Sequence, residues 1–255
     1  MKLDLFDLDG ASCLVTGASS GLGSVIAVGL AEGGARVVVA ARRVDRLEKL
    51  VRLLRKRGLE AKSIKCDVTR ESDVERTVKA TVGFYGSLDV LINNAGTTHA
   101  SPSFELNLPA WKRVLDVNLT GTFLCAKHAS RQMIRQRRGK IINVSSVYGL
   151  IADSSPELPY YASKAGVIGL TRQLALELAA YNIQVNSIAP GFFPSEMTKA
   201  IIENPDELSN TLSRVPMKRI GRPRDLVGVV QFLASKASDY MTGQLVVVDG
   251  GWTLW

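Results

Sequence analysis

The chain has 255 residues, 46% hydrophobic and 22% charged, with 32 Lys and Arg against 24 Asp and Glu for a formal charge of +8. This is an ordinary globular composition, and it excludes a fibrous or low-complexity chain. No apolar run approaches the roughly 20 residues of a membrane-spanning helix, and acids interrupt the opening MKLDLFDLDG where a signal peptide would be unbroken. The chain therefore reads as soluble and cytoplasmic, without a membrane partner. Cys13, Cys66 and Cys125 form an odd set with no CxxC pair, so they read as small buried hydrophobes and no metal site is expected.

Short Val- and Ile-rich runs alternate with amphipathic stretches from the start. The runs are 11–18 (ASCLVTGA), 36–41 (RVVVAA), 61–68 (AKSIKCDV), 88–96 (LDVLINNAG), 139–146 (GKIINVSS), 183–191 (IQVNSIAPG) and 243–251 (GQLVVVDGG). Such alternation predicts an α/β chain, and runs that are continuously apolar predict strands covered on both faces. The fold class is then a single-domain Rossmann fold with a seven-stranded, parallel, doubly wound sheet and helices on both faces. No linker or composition break divides it. The rhythm lapses only at 192–222, where Pro194, Pro205 and Pro216 interrupt a long insertion. It follows the carboxyl end of a strand, where ligands bind in open α/β sheets, and it reads as two short helices forming a substrate lid.

The first strand runs into Gly17, Ser19, Ser20, Gly21, Leu22 and Gly23 before an apolar helix. A turn so poor in side chains lets the backbone approach a pyrophosphate and aims helix N-terminal amides at it, which predicts a dinucleotide site. The second strand then ends in Ala40, Ala41, Arg42 and Arg43. An NAD site would carry an acid near this point to hold the ribose hydroxyls. Two guanidinium groups instead suit the 2′-phosphate of NADP(H).

Tyr160 and Lys164 lie four apart at the start of a long helical stretch, on one face, where the ammonium would lower the phenol's pKa. Ser146 closes the preceding strand. Ser145 and Tyr161 are adjacent rivals, and Tyr160 is preferred because it stands four before Lys164.

Taken together, TGASSGLG (16–23), Asp67-Val68, NNAG (93–96), Asn118 in VNLTG, Ser146, YYASK and Pro190-Gly191 resemble, in order and over nearly the whole chain, the short-chain dehydrogenase/reductase family. The resemblance implies that Tyr160 protonates a substrate carbonyl oxygen, Ser146 hydrogen-bonds it, Lys164 binds the nicotinamide ribose, and Asn118 anchors a relay water. It also implies that Asp67 and Val68 flank the adenine, that Asn94, Ala95 and Gly96 line its ribose side, and that Phe193 and Ser195 touch the carboxamide and phosphates. The expected substrate is a small ketone or alcohol, with 3-oxoacyl thioesters and sugar ketones as the nearest classes. Homodimers or homotetramers are implied through the helices at 105–137 and 158–180 and the last strand.

Other features remain open at this stage. Arg131, Arg135, Arg137, Arg138 and Lys140 form a basic cluster that could meet an acidic carrier protein or be merely solvated. Ser154, Ser155 and Glu157, with the loop 97–104, stand beside the expected pocket. His99 and His128 look unpaired. Trp252 and Trp255 are either packed on their own subunit or shared with a partner. Nucleic acid is not expected, because the basic residues are dispersed and aromatics make up only 6% of the chain. A cofactor-binding regulator without catalysis is the competing reading.

Overall fold

The computed structural model describes residues 4–254. Seven parallel strands form one sheet: β1 (Ser12–Thr16), β2 (Arg36–Ala41), β3 (Ala61–Lys65), β4 (Val90–Asn93), β5 (Gly139–Val144), β6 (Ile183–Pro190) and β7 (Leu245–Val248). Their order is β3-β2-β1-β4-β5-β6-β7. The chain starts in the middle, winds outward through β2 and β3, then crosses back to β4 beside β1. The resulting reversal between β1 and β4 opens a crevice at the carboxyl edge, where a doubly wound sheet binds its ligand.

The helices are α1 (Gly21–Glu32), α2 (Val44–Lys56), α3 (Glu71–Tyr85), α4 (Leu108–Leu115), α5 (Gly121–Gln136), α6 (Leu158–Leu178), α7 (Lys199–Glu203), α8 (Pro205–Arg214) and α9 (Pro223–Ala234). One apolar cluster, including Ile26, Leu30, Leu47 and Leu226, packs α1, α2 and α9 on one face of the sheet. A second, including Leu124, Met133, Ala175 and Leu178, packs α3, α5 and α6 on the other. The continuous apolar runs follow from this double cover: every residue of β5 and β6 is buried.

Several predicted runs extend past their strands, because the residues after the last ladder bond peel away to form the rim of the crevice. The helix expected over 105–137 is also interrupted. A π-helical turn, Asp116–Thr120, joins α4 to α5, and Asn118 on it reaches sideways to hold the loop after β4. Between β6 and α9 lie α7 and α8. Asn204 starts α8 by accepting from the Asp206 and Glu207 amides, with Pro205 in its first turn.

Of the basic cluster, Arg131, Arg135, Arg137 and Arg138 stay exposed at the end of α5, and Lys140 does not. Lys140 is a buried β5 residue whose Nζ binds Gln184, Ser238 and Asp239, and Arg138 pairs with Asp89. Both lie at the amino edge of the sheet, opposite the crevice. His128 is not unpaired: its Nε2 lies 3.0 Å from Glu71 Oε1, which also accepts from Lys127.

Candidate active site

A cleft of about 690 Å³ runs along the carboxyl edge from Arg42 at one end to Thr98 and Glu157 at the other. At the nucleotide-like end, Gly17 turns the chain with φ +67°, and a Cβ there would lie 2.6 Å from Ala95 Cα. Only glycine admits both the left-handed turn and that approach. Asn94 closes the turn from the side: its Nδ2 donates to the carbonyls of Thr16 (3.0 Å) and Gly17 (3.3 Å), and its own amide donates to Thr16 Oγ1. Gly17, Ser19, Ser20, Gly21, Leu22, Arg42, Arg43, Asp67, Val68, Asn94, Ala95 and Gly96 all line the cleft.

Gly23 does not. A Cβ on it would meet Asn94 Nδ2 at 2.3 Å, so this glycine lets α1 pack against the turn and faces no ligand. The two arginines also divide. Among the described residues the Arg42 side chain has no hydrogen bond or ion pair, whereas Arg43 is held by Ser19 (3.2 Å), Ser20 (2.6 Å) and both carboxylate oxygens of Glu196 (3.0 and 2.9 Å). Glu196 lies in the insertion after β6, and the sequence reading missed it. No periodicity marks a pair 153 positions apart.

At the other end, β5 delivers Ser145 and Ser146 and α6 delivers Tyr160 and Lys164. Ser145 Oγ donates to the Lys164 carbonyl (2.8 Å), which fixes α6 on β5. The Ser146 hydroxyl accepts from the Tyr148 amide at 3.2 Å and faces the cleft. Tyr160 lines the cleft with its ring edge-on to Tyr148. Tyr161 turns away, stacks on Tyr148 with centroids 4.6 Å apart, and buries its hydroxyl without a partner. Of the two tyrosines, only Tyr160 lines the cleft.

The electrostatics differ from the expectation. Burial pushes the Tyr160 phenol up to about 12; Ser146 opposes this through a hydrogen bond, and the Glu157 charge adds to it. Lys164 does not lower it in this arrangement. Its Nζ lies 5.5 Å from the Tyr160 ring centre and donates to the Val144 carbonyl at 2.7 Å, and burial draws the ammonium down to about 8. Asn118 is buried and does not line the cleft. Its Oδ1 accepts from the Thr97 amide (2.8 Å), and its Nδ2 donates to the Thr97 carbonyl and Ser163 Oγ (both 2.9 Å). The side chain is fully occupied in clamping that loop to α6.

After β6, Pro190, Gly191, Phe193 and Ser195 reach the cleft. The Phe193 side chain belongs to the core, packed on Gly221, so its backbone is the part a ligand can meet. Thr198 was not foreseen: its Oγ1 accepts from the Ser195 amide (2.9 Å) and donates to the Phe193 carbonyl (2.6 Å), shaping the strap over the cleft. The far wall is polar. Glu157 accepts from Thr98 (2.5 Å) and Ser155 (3.0 Å). Behind it, Trp252 is buried on its own chain against Phe192, with the Arg214 guanidinium 4.3 Å over its ring; Trp255 lies outside the described residues. Among the described residues no His, Cys, Asp or Glu cluster could hold a metal, and no helix is long and apolar enough to cross a membrane.

A doubly wound sheet with a glycine turn at its switch point, and a serine, tyrosine and lysine meeting at the same edge, defines a nucleotide-dependent oxidoreductase architecture. Comparison with known proteins gives the family. Residues 17–253 match the profile described as Enoyl-(Acyl carrier protein) reductase. The chain is 39% identical over 248 residues to the 5-keto-D-gluconate 5-reductase of Escherichia coli K12, covering 97% of each. It is 42% identical over 241 residues to the 3-oxoacyl-[acyl-carrier-protein] reductase of Staphylococcus epidermidis, covering 94% of this chain and 98% of that one. The crystal structure of a Burkholderia cenocepacia gluconate 5-dehydrogenase, in complex with NADP and tartrate, superposes with a TM-score of 0.96 at 36% identity over the whole of both chains. The protein belongs to the short-chain dehydrogenase/reductase family of oxidoreductases.

Proposed function

We propose that the protein is an NADP(H)-dependent oxidoreductase that interconverts a ketone and a secondary alcohol. The observation that carries this reading is the convergence of the Ser146 hydroxyl, the Tyr160 phenol and the buried Lys164 at the end of the cleft away from the arginines. The residues present fit the dinucleotide. No side chain caps the first turn of α1, so its amides remain free to meet phosphate oxygens; Arg42 offers an unengaged guanidinium; and Lys164 has donors beyond the one given to Val144. When bound, the nicotinamide supplies or accepts the hydride.

The protein's part is the oxygen. In the reducing direction Tyr160, held protonated by its high pKa, donates its phenolic proton to the substrate oxygen as negative charge develops there. Ser146 donates a second hydrogen bond to the same atom, and the buried Lys164 ammonium adds positive charge at the same end of the cleft, 5.5 Å from the Tyr160 ring centre. Asn118 acts one step removed, by fixing the loop at residue 97 against α6.

The substrate reading is a sugar ketone or a 3-oxoacyl thioester. The polar wall of Thr98, Ser155 and Glu157 supports the former, whereas the exposed Arg131, Arg135, Arg137 and Arg138 that could meet a carrier protein lie at the amino edge of the sheet, opposite the cleft. Exposed Phe123, Leu158 and Leu176 on α5 and α6 support self-association. NADPH oxidation is to be followed across sugar ketones, β-ketoesters, acyl thioesters, steroids and aryl ketones. Tyr160→Phe should lose about 10²- to 10⁴-fold in turnover while still binding NADPH. Wild-type protein that binds NADPH but turns over none of the panel would instead favour the regulator reading.

A further inference from the structure

Glu196 draws together more of the nucleotide-like end than any other side chain of the insertion. Its Oε1 accepts from Arg43 Nη1 (3.0 Å) and from Arg46, and its Oε2 accepts from Arg43 Nη2 (2.9 Å) and Ser20 Oγ (3.2 Å). Arg43 is thereby held in a fork, its Nε and Nη2 also reaching Ser19 and Ser20. These donors hold the Glu196 carboxyl down at about 2, so it is an anion at any physiological pH. The Arg43 and Arg46 guanidinium groups and the Ser20 hydroxyl, beyond the carboxyl ends of β1 and β2, thus form an anion site. The anion on it is one of the chain's own side chains, borne by the strap that crosses the cleft.

We propose that Glu196 is an internal competitor for the 2′-phosphate of NADP(H), and that it makes release of the strap from α2 conditional on the phosphorylated cofactor. This rests on the NADP(H) reading above. A phosphate monoester carries roughly twice the charge of a carboxylate and three acceptor oxygens, so it outbids Glu196 for Arg43 and recruits Arg42 as well. NADH carries hydroxyls at the same position and leaves the Glu196–Arg43 pair intact. Glu196 therefore lowers affinity for the phosphorylated cofactor by a modest factor and gates the strap. Its side chain is 52% exposed and that of Arg43 is 41% exposed, which limits the competition to about two- to tenfold.

The test is calorimetric titration of apo protein with adenosine 2′,5′-bisphosphate, NADPH and NADH, for wild type and Glu196→Gln. The expected result is a two- to tenfold tighter bisphosphate and NADPH in the variant, with NADH unchanged. In wild type alone, the bisphosphate should also speed proteolysis between residues 195 and 203. Equal changes for NADPH and NADH, or weaker bisphosphate binding in the variant, would overturn the proposal. Should wild type bind NADPH no better than NADH and ignore the bisphosphate, the NADP(H) reading falls and the competitor with it. Should wild type prefer NADPH by a ratio that Glu196→Gln leaves unaltered, only the competitor falls.

Discussion

Replacing Lys164 with methionine should abolish turnover and yet remove a pH-dependent load from the fold. Lys164 is 3% exposed, and among the described residues no carboxylate pairs with it; its one bond is to the Val144 carbonyl. Burial lowers its pKa from 10.5 to about 8. An unfolded chain keeps this proton up to 10.5, whereas the folded chain releases it near 8. Between those values the unfolded state binds more protons, so stability rises with pH. The penalty is complete below 8, fades through the interval and is gone above 10.5. At about 1.4 kcal/mol per pH unit it amounts to about 3 kcal/mol. Near neutral pH the charge-assisted bond to Val144 returns about 1.5–3 kcal/mol of this, so Lys164→Met should be about as stable as wild type there. The sharper readout is the difference in pH dependence. Urea unfolding of both proteins at about pH 7 and about pH 10 should show wild type gaining about 2–3 kcal/mol on the variant. Tyrosines and other lysines titrate in both proteins and cancel. Parallel stability–pH curves would show that Lys164 keeps an ordinary pKa in the folded chain, and would remove the argument that a buried, unpaired ammonium is retained for chemistry.

Tyr161→Phe deletes a hydroxyl that is buried without a partner, so unfolding free energy should rise or move by less than about 0.5 kcal/mol, with turnover kept; a large loss of activity would reassign the proton donor. Glu157→Gln removes a charge that raises the Tyr160 pKa, so the alkaline limb of the kcat/KM profile should move to lower pH, and an unmoved limb would mean that the two groups do not interact. Arg42→Ala should raise the NADPH KM about tenfold or more with little effect on the NADH KM, since a charge-assisted contact to phosphate is worth about 1.5–3 kcal/mol; equal effects on both cofactors would refute the 2′-phosphate assignment.

The sheet was legible because its signal is local. A strand buried on both faces is apolar except where its polar groups find partners, and Val37–Ala41 of β2 show the apolar run after the half-buried Arg36. The ends were less so: in 88–96 only Val90–Asn93 forms ladder bonds, since the residues that leave the sheet keep similar composition while changing task. In the cleft, Tyr160, four before Lys164, lines the wall and Tyr161 does not. What spacing could not say is which atom each polar group meets. Lys164 was read as a neighbour of the phenol, but its shortest bond is to a β5 carbonyl 20 positions back. Arg43 was read as open to phosphate, but a carboxylate 153 positions on reaches it first. His128 was read as unpaired and Lys140 as one of a basic cluster, and both are buried against partners on other elements. Such pairings are set by the crossing of elements, which carries no period in the sequence.

The two ends of the cleft are held by different kinds of bond, and this bears on how substitutions will act. Under the chemical end runs a buried polar ladder. Asn93 donates to Asn143 Oδ1 (2.9 Å) and to the Thr122 carbonyl (3.3 Å), Asn143 donates to Thr171 Oγ1 (2.9 Å), and Ser145 and Asn118 fasten α6 to β5 and to the π-helical turn. Each bond is shielded from water, so losing one leaves an unsatisfied group and costs about 1–3 kcal/mol. The helix that carries Tyr160 and Lys164 is therefore fixed before any ligand arrives. At the arginine end the ties are half-exposed ion pairs from Glu196, worth little individually and exchangeable for an anion of higher charge. The placement of Ser146, Tyr160 and Lys164 is thus insensitive to how the strap sits, while on the proposed reading cofactor affinity is not. Substitutions in the buried ladder should lower turnover and stability together, whereas substitutions among Ser20, Arg43 and Glu196 should move cofactor binding and leave the fold intact.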